Sequence, residues 1–168
     1  MKTVVVAGSP RKGKNSDSLA EIYARRKGTE AIFLRDYKIG NCSACDYCKS
    51  VEKGNCAKRD DMDNLYQRVI EADEIAIFSP IYWWQVTAIC KAFIDRLYAI
   101  EHDAWKGKRL TVVLNGEASD DDKEYSILKD AFKEMADYLS MEFSYLGICT
   151  EENNKECLKK AEKSLLAL

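Results

Sequence analysis

The feature that most constrains the fold is an apolar strand that leads directly into a polar loop and then a helix. Residues 3–7 read Thr-Val-Val-Val-Ala, and residues 8–16 follow as Gly-Ser-Pro-Arg-Lys-Gly-Lys-Asn-Ser. α/β proteins use this order of elements to hold phosphate, because backbone N–H groups and the positive end of the helix point at the anion. The start of the chain therefore predicts an α/β fold with a phosphate site.

Strands and helices alternate along the rest of the chain. Apolar runs predict five strands, at residues 4–7, 31–34, 75–78, 110–114 and 143–148, the third of them stopped by Ser79 and Pro80. Helical spacing predicts five helices, at 15–26, 62–70 (capped by Asp60 or Asp61), 86–100, 122–139 and 154–166. Because most connections are short, we expect a single α/β domain over residues 1–168, with a parallel sheet and helices on both faces.

Three loops are expected to lie at one edge of this sheet. Each follows a predicted strand, and they comprise residues 8–16, 79–84 and 115–120. In parallel sheets, ligands bind beyond the carboxyl ends of the strands, where the strand order reverses. The sequence therefore predicts a ligand site built from these three loops.

The composition excludes several functional classes. A net charge of −2 gives no electrostatic basis for binding nucleic acid. No apolar run approaches the roughly 18 residues of a membrane span, and neither a signal peptide nor a lipid-anchor motif is evident, so we expect a cytoplasmic protein. The single histidine, His102, cannot build a multi-histidine metal centre and is interpreted as a surface residue.

The first loop nearly matches the P-loop that binds nucleoside triphosphates. Its glycines and lysine fit, but Asn15 stands where that motif has the hydroxyl residue for magnesium, and Pro10 removes a backbone donor. The dinucleotide fingerprint Gly-x-Gly-x-x-Gly is absent. Three alternatives remain: a kinase-like triphosphate domain, a plain turn capped by Asn15 or Ser16, and a cradle for one terminal phosphate. The hydroxyl, amide and guanidinium groups of the loop favour the last.

Four motifs together resemble one family. Residues 8–16, quoted above, are followed by Asp-Asp-Met at 60–62, Ser-Pro-Ile-Tyr-Trp at 79–83 and Lys-Ala-Phe-Ile-Asp-Arg at 91–96. In this order they resemble the NADPH-dependent FMN reductase-like flavoproteins and cover most of residues 3–96. The resemblance implies a flavodoxin-like fold, a three-layer, doubly wound, five-stranded parallel sheet in the order 2-1-3-4-5.

The resemblance also implies an FMN site. The FMN phosphate would be held by Ser9, Arg11, Asn15 and Ser16. The isoalloxazine ring would pack along Pro80, Ile81, Tyr82 and Trp83, and Asn115 and Gly116 would close the site from the third loop. Many relatives carry small residues where this chain has Trp84 and Gln85, so these two either narrow access to the flavin or face a second subunit.

Four of the seven cysteines lie within fifteen residues: Cys42, Cys45, Cys48 and Cys56. Their close spacing is more typical of iron–sulfur ligation than of the separated pairs of zinc modules. The quartet also resembles the motif of iron–sulfur flavoproteins, a branch of the same family that carries a [4Fe-4S] cluster beside FMN. Zinc and free or redox-active thiols remain alternatives. The other cysteines, Cys90, Cys149 and Cys157, are interpreted as small core residues.

The leading hypothesis is an FMN-dependent NAD(P)H oxidoreductase. Electrons from a reduced nicotinamide would pass through the flavin to a small-molecule or protein acceptor, with no side chain acting as acid or base. The alternative is an iron–sulfur flavoprotein electron carrier that takes electrons from a protein such as ferredoxin. The resemblance implies a homodimer or higher oligomer. No site for a 2′-phosphate is recognisable, so the sequence does not distinguish NADH from NADPH.

Overall fold

Six strands and six α-helices are seen in the computed structural model, which describes residues 1–119, 121–150, 155–165 and 167–168, with 155–158 as backbone only. The strands are Thr3–Ala7 (β1), Ala31–Phe33 (β2), Glu74–Tyr82 (β3), Gln85–Val86 (β4), Arg109–Gly116 (β5) and Glu142–Cys149 (β6). The helices are Asn15–Lys27 (α1), Tyr47–Ser50 (α2), Met62–Glu71 (α3), Ala88–Arg96 (α4), Lys123–Tyr138 (α5) and Lys155–Leu165 (α6). Asp120, residues 154 and 166 of the last predicted helix, and the Cys157 side chain lie outside this description.

Five parallel strands form the sheet in the order β2-β1-β3-β5-β6. The two-residue strand β4 lies off this path and pairs antiparallel with the end of β3. The five parallel strands thus keep the predicted order 2-1-3-4-5, and β4 is the one addition. The predicted doubly wound α/β fold is confirmed.

Two apolar layers flank the sheet because successive strand residues face opposite sides. In β1, Val4 and Val6 join a large cluster with α3, α4 and α5, whereas Val5 and Ala7 join a smaller cluster with α1 and α6. Within the described part of the chain, no helix combines the length and apolar character needed to cross a membrane.

Two predicted element boundaries at the functional edge of the sheet are wrong, and the helix predicted over 86–100 also ends early, at Arg96. Strand β3 does not stop at Ser79 but continues to Tyr82. It can contain Pro80 because β1 ends opposite Phe78, so the missing N–H breaks no bond of the sheet on that side. The following helix begins at Ala88 rather than residue 86, because Thr87 caps it by accepting a hydrogen bond from the Cys90 backbone N–H at 3.2 Å.

The structure also tests several single-residue expectations. His102 is exposed as predicted, and its Nε2 lies 2.8 Å from the carbonyl oxygen of Tyr138. Cys90 is fully buried, but Cys149 is only half-buried at the end of β6 and is not the core residue we expected. The short helix α2 was not predicted, since four residues are too few to show a helical repeat.

The amino end of β3 carries a buried carboxylate. Glu74 is fully buried and accepts hydrogen bonds from Tyr23 (2.6 Å), Thr111 (2.7 Å) and Thr3 (3.0 Å), and it pairs with Lys27 at 3.0 Å. Burial opposes ionisation most strongly, but these contacts together outweigh it and hold the pKa of Glu74 below its ordinary value. This network lies at the amino ends of the strands, whereas the three loops lie at their carboxyl ends.

Candidate functional site

The three predicted loops meet at the carboxyl edge of the sheet. The first and third are joined by the Ser16 hydroxyl, which donates to the Asn115 side-chain oxygen at 2.6 Å. The first and second are joined by the Arg11 guanidinium, which lies 5.8 Å from the centre of the Tyr82 ring. Strand register places Pro80 beside Asn115. The structure therefore brings together residues from all three loops, as the sequence predicts.

The first loop presents unpaired backbone donors. Among the described residues, nothing accepts from the backbone N–H groups of Ser9, Lys12 and Lys14. The first turn of α1 adds N–H groups that have no partner within the helix. By contrast, the Gly13 N–H is taken by the Asp17 carboxylate at 2.6 Å. Such a set of donors at a helix N-terminus suits the terminal phosphate of FMN.

Two residues that were not predicted from the sequence, Arg35 and Asp17, support the first loop. Arg35, just after β2, donates to the Asp17 carboxylate at 2.8 Å and to the Ser9 carbonyl at 3.3 Å. Its Nε is buried and has no hydrogen-bond partner within the described structure. A basic residue at the carboxyl end of a strand is the one sequence signal that could have indicated Arg35, because that end faces the predicted site.

Gly8 lies where the first loop touches the start of α4. Its N–H donates to the Phe78 carbonyl at 2.7 Å, and its carbonyl accepts a short hydrogen bond from the Thr87 hydroxyl. A Cβ at this position would lie 2.6 Å from Cys90 Cβ and 2.8 Å from its Sγ. Only glycine therefore fits here. Burial raises the pKa of the Cys90 thiol to about 12, so this cysteine packs rather than reacts.

The aromatic residues of the second loop form an exposed hairpin turn. Trp83 and Trp84 connect β3 to β4, both have positive φ (52° and 60°), and their rings meet edge to face at 5.8 Å. Trp83 is 89% exposed and Trp84 53%. Such φ values suit Asn-Gly in a two-residue turn and cost about 1–2 kcal/mol for other residues. Trp83 as a wall for the flavin stays a prediction.

The remaining predicted wall residues become progressively more exposed towards the turn. Pro80 is buried, Ile81 is half-buried and Tyr82 is 37% exposed. In the third loop, Asn115 and Gly116 belong to β5 itself, and the Gly116 carbonyl accepts from the Thr150 N–H at 2.7 Å. These two positions are therefore held by the sheet rather than by a free loop.

The four clustered cysteines share a loop, residues 40–58, that we call the cysteine loop. Cys42 and Cys45 are exposed, Cys48 is buried and Cys56 is half-buried. Across the described ranges, no three His, Cys, Asp or Glu side chains are grouped so that they could hold a metal ion. Four thiols are the donor set of a [4Fe-4S] cluster, but this arrangement does not fit one as it stands.

The cysteine thiols also differ in their environment. A backbone hydrogen bond from Tyr47 lowers the pKa of Cys45, whereas burial raises the pKa of Cys48. Ala44 and Asp46, between these cysteines, have positive φ of 50° and 52°. The loop backbone is thus strained where the first three cysteines lie.

Comparison with known protein families identifies the chain. A family model described as NADPH-dependent FMN reductase matches residues 1–141. The chain belongs to this family. An iron-sulfur flavoprotein from Archaeoglobus fulgidus is 39% identical over 64% of the chain and 51% of its own length. A putative NAD(P)H-dependent FMN-containing oxidoreductase, YwqN of Bacillus subtilis, is 31% identical over 57% of the chain and 51% of its own length. The chain thus matches about half the length of these curated relatives.

Solved structures of this fold are similar over nearly the whole chain. The Trp repressor binding protein of Bacillus subtilis superposes with a TM-score of 0.70 at 21% identity, covering 98% of this chain and 97% of that one. A putative quinone reductase of Klebsiella pneumoniae gives 0.73 at 17% identity, covering 99% and 83%. At these identities the likeness establishes the flavodoxin-like fold of this family member.

Proposed function

We propose that this family member binds FMN at the three-loop edge and acts as an NAD(P)H-dependent oxidoreductase. The observation that carries the proposal is the convergence of the first loop, with its unpaired backbone donors, on Asn115 and Pro80 at the carboxyl edge of the sheet. Bound FMN would take reducing equivalents from a reduced nicotinamide and deliver them to a small-molecule or protein acceptor.

The chain's own residues bind and orient the cofactor in this proposal. The phosphate contacts come from Ser9, Arg11, Asn15 and Ser16. The ring contacts come from Pro80, Ile81, Tyr82 and Trp83, and the site is closed by Asn115 and Gly116. Ser16 and Asn115 are both buried and bonded to each other, so they also hold the first and third loops at a set separation. No side chain needs to act as a general acid or base.

The phosphate cradle can be tested by comparing FMN with riboflavin, which lacks the phosphate. In Arg11→Ala we expect FMN binding to weaken about 10- to 150-fold, because a charge-assisted contact worth about 1.5–3 kcal/mol is lost. Riboflavin binding should weaken much less than FMN binding, because Arg11 contacts the proposed ring wall only through Tyr82. Fluorescence titration measures both affinities. The neighbouring exposed Lys12→Ala is the matched control and should bind FMN with nearly wild-type affinity.

Two results would contradict the proposal. A wild-type protein that fails to bind FMN at micromolar concentrations has no FMN site. An equal loss of FMN and riboflavin affinity in Arg11→Ala would place Arg11 on the ring rather than on the phosphate. Reduction of bound FMN by NADH or NADPH, followed by absorbance, then tests the oxidoreductase activity and shows which nicotinamide is used.

A second candidate function is an iron–sulfur flavoprotein electron carrier with a [4Fe-4S] cluster on Cys42, Cys45, Cys48 and Cys56. It is favoured by the cysteine spacing and by the iron-sulfur flavoproteins among the relatives, which are 34–41% identical in four of the matches. Since the thiols are not grouped, a cluster requires the cysteine loop to rearrange. Anaerobic purification should then yield iron and sulfide in equal amounts per chain, and iron near zero would exclude the cluster.

We also propose that the chain forms a homodimer or higher oligomer through the exposed hairpin of residues 82–85. Replacing Trp83→Asn together with Trp84→Gly keeps the turn, since Asn-Gly suits its positive φ values, and removes both indoles. We expect the wild type to sediment as an oligomer and the double variant as a folded monomer. Equal sedimentation of the two proteins would reject this surface.

A further inference from the structure

Two motifs that the FMN site does not use meet inside the protein. Asp60, just before α3, and Arg96, at the end of α4, form an ion pair at 2.6 Å. The Arg96 side chain is 1% exposed and the Asp60 side chain 17%, so the pair is largely buried. Burial opposes the charge of each partner, but their mutual hydrogen bond lowers the pKa of Asp60 and raises that of Arg96. A buried pair of this kind is costly to break.

The same pair closes the neck of the cysteine loop. The Arg96 guanidinium also donates to the Gly40 carbonyl at 3.0 Å and to the Lys58 carbonyl at 3.4 Å, which are the two ends of the loop. Asp60 accepts from the Gly40 N–H at 2.9 Å. We call Asp60 and Arg96 the neck clamp, because one guanidinium and one carboxylate hold both ends of the loop together.

A buried tyrosine supports the neck clamp. The Tyr66 hydroxyl donates to the Arg96 carbonyl at 3.1 Å and accepts from Arg96 Nε at 3.3 Å. Tyr66, on α3, therefore fixes the position of Arg96 from a third element of the structure.

The opposite end of the same helix touches the proposed FMN site. Thr87, the cap of α4, donates to the Gly8 carbonyl, and its N–H donates to the Ser79 hydroxyl at 3.4 Å. Cys90, one turn into the helix, packs against Gly8. Helix α4 has nine residues and a length of about 13 Å. One short, rigid element thus contacts the first and second loops at one end and the neck clamp at the other.

We propose that α4 couples the cysteine loop to the FMN site, with Asp60 and Arg96 as positioning residues. The inference rests on the proposed function, because it requires FMN to bind at the first loop. Bound FMN restrains the motion of residues 8–16 and holds Gly8 against Thr87. It thereby also restrains the motion of α4 and of the neck clamp. Coupling between two sites is reciprocal, so a change in the cysteine loop also alters FMN affinity.

The test measures how fast iodoacetamide alkylates the loop cysteines, with and without FMN, by mass spectrometry of peptides carrying Cys42, Cys45, Cys48 and Cys56. We expect FMN to slow alkylation in the wild type by about fivefold or more, the lower end of common coupling strengths. In Arg96→Lys, which keeps the charge but loses the fork that spans both carbonyls, flavin-free alkylation should be faster and the FMN effect should fall below about twofold.

The matched control is Asp95→Asn, one residue away on α4, where an exposed pair with Lys91 is lost. It should behave as the wild type. Tyr66→Phe provides a milder clamp variant if Arg96→Lys does not fold, as judged by thermal unfolding. The FMN effect in Tyr66→Phe should lie between those of the wild type and Arg96→Lys.

Two outcomes overturn the coupling. One is bound FMN that leaves wild-type alkylation unchanged. The other is full FMN protection in both clamp variants, which would mean that FMN covers the cysteines directly. If the wild type binds no FMN, the proposed function and the coupling both fail. In that case equal alkylation of flavin-free wild type and Arg96→Lys would further show that the clamp does not hold the neck.

Discussion

Gly8→Ala is expected to damage the stability of the protein and its FMN binding together. The new Cβ would lie 2.6 Å from Cys90 Cβ and 2.8 Å from Cys90 Sγ, so α4 or the first loop must move. Overpacking of this kind costs about 1–3 kcal/mol of unfolding free energy. Because Gly8 also holds the Thr87 cap, we expect FMN affinity to fall at least about tenfold, or about 1.4 kcal/mol. Thermal unfolding and fluorescence titration measure the two effects.

A double-mutant cycle with Cys90→Gly isolates the cause. This second change removes both atoms that the new Cβ would approach, so the double variant should be less destabilised than the sum of the two single variants. Strict additivity of the two losses would show that Gly8 acts through something other than its contact with Cys90.

Glu74→Ala is expected to cause the largest loss of stability and to leave the FMN site unaffected. The change leaves Lys27 and three hydroxyl groups without their shared acceptor in a buried setting. Breaking a buried ion pair in this way costs about 3–5 kcal/mol. FMN affinity of the folded fraction should stay near the wild-type value, because Glu74 lies at the opposite sheet edge. Denaturant unfolding measures the loss.

The control is Glu71→Ala, which removes an exposed pair with Lys2 a few residues earlier. It should change the unfolding free energy by less than about 1 kcal/mol. Equal effects of the two substitutions would show that the buried network contributes no more than a surface ion pair.

The pH dependence of stability follows from the same carboxylate. Its pKa in the folded state lies below the ordinary 4.5, so the stability it contributes is complete above that pH and is lost as the pH falls through the lowered value. We expect the unfolding free energy of Glu74→Gln to fall less steeply than that of the wild type below about pH 4.5. Parallel curves for the two proteins would contradict the lowered pKa.

Local patterns explain why so much of the fold could be predicted. The β-branched run of residues 3–7 and the helical spacing after Asn15 each depend on neighbours a few positions apart. The errors arose where tertiary pairing overrode a local signal. Pro80 is a strand breaker by itself, yet β3 continues through it because that side of the strand has no partner to lose.

The candidate site likewise contains some features that the sequence indicated and others that it did not. The sequence alone indicated the polar first loop and the aromatic second loop, since glycine, hydroxyl and basic residues after a strand have a direct chemical meaning. It did not indicate Thr87 or Arg35, whose roles exist only through contacts with the first loop. It also suggested four metal-ligating thiols, which the folded loop does not group.

The sequence by itself determined the alternation of strands and helices, the position of three loops at one edge of the sheet, and the residue types that each loop presents there. Only the tertiary structure decided which residues far apart in the sequence contact each other. Tyr23 meets Glu74 across 51 positions, Arg96 meets Asp60 across 36, and Thr87 meets Gly8 across 79. Propensity and periodicity act over a few residues, whereas burial of these polar groups is stabilised only when the whole chain has packed.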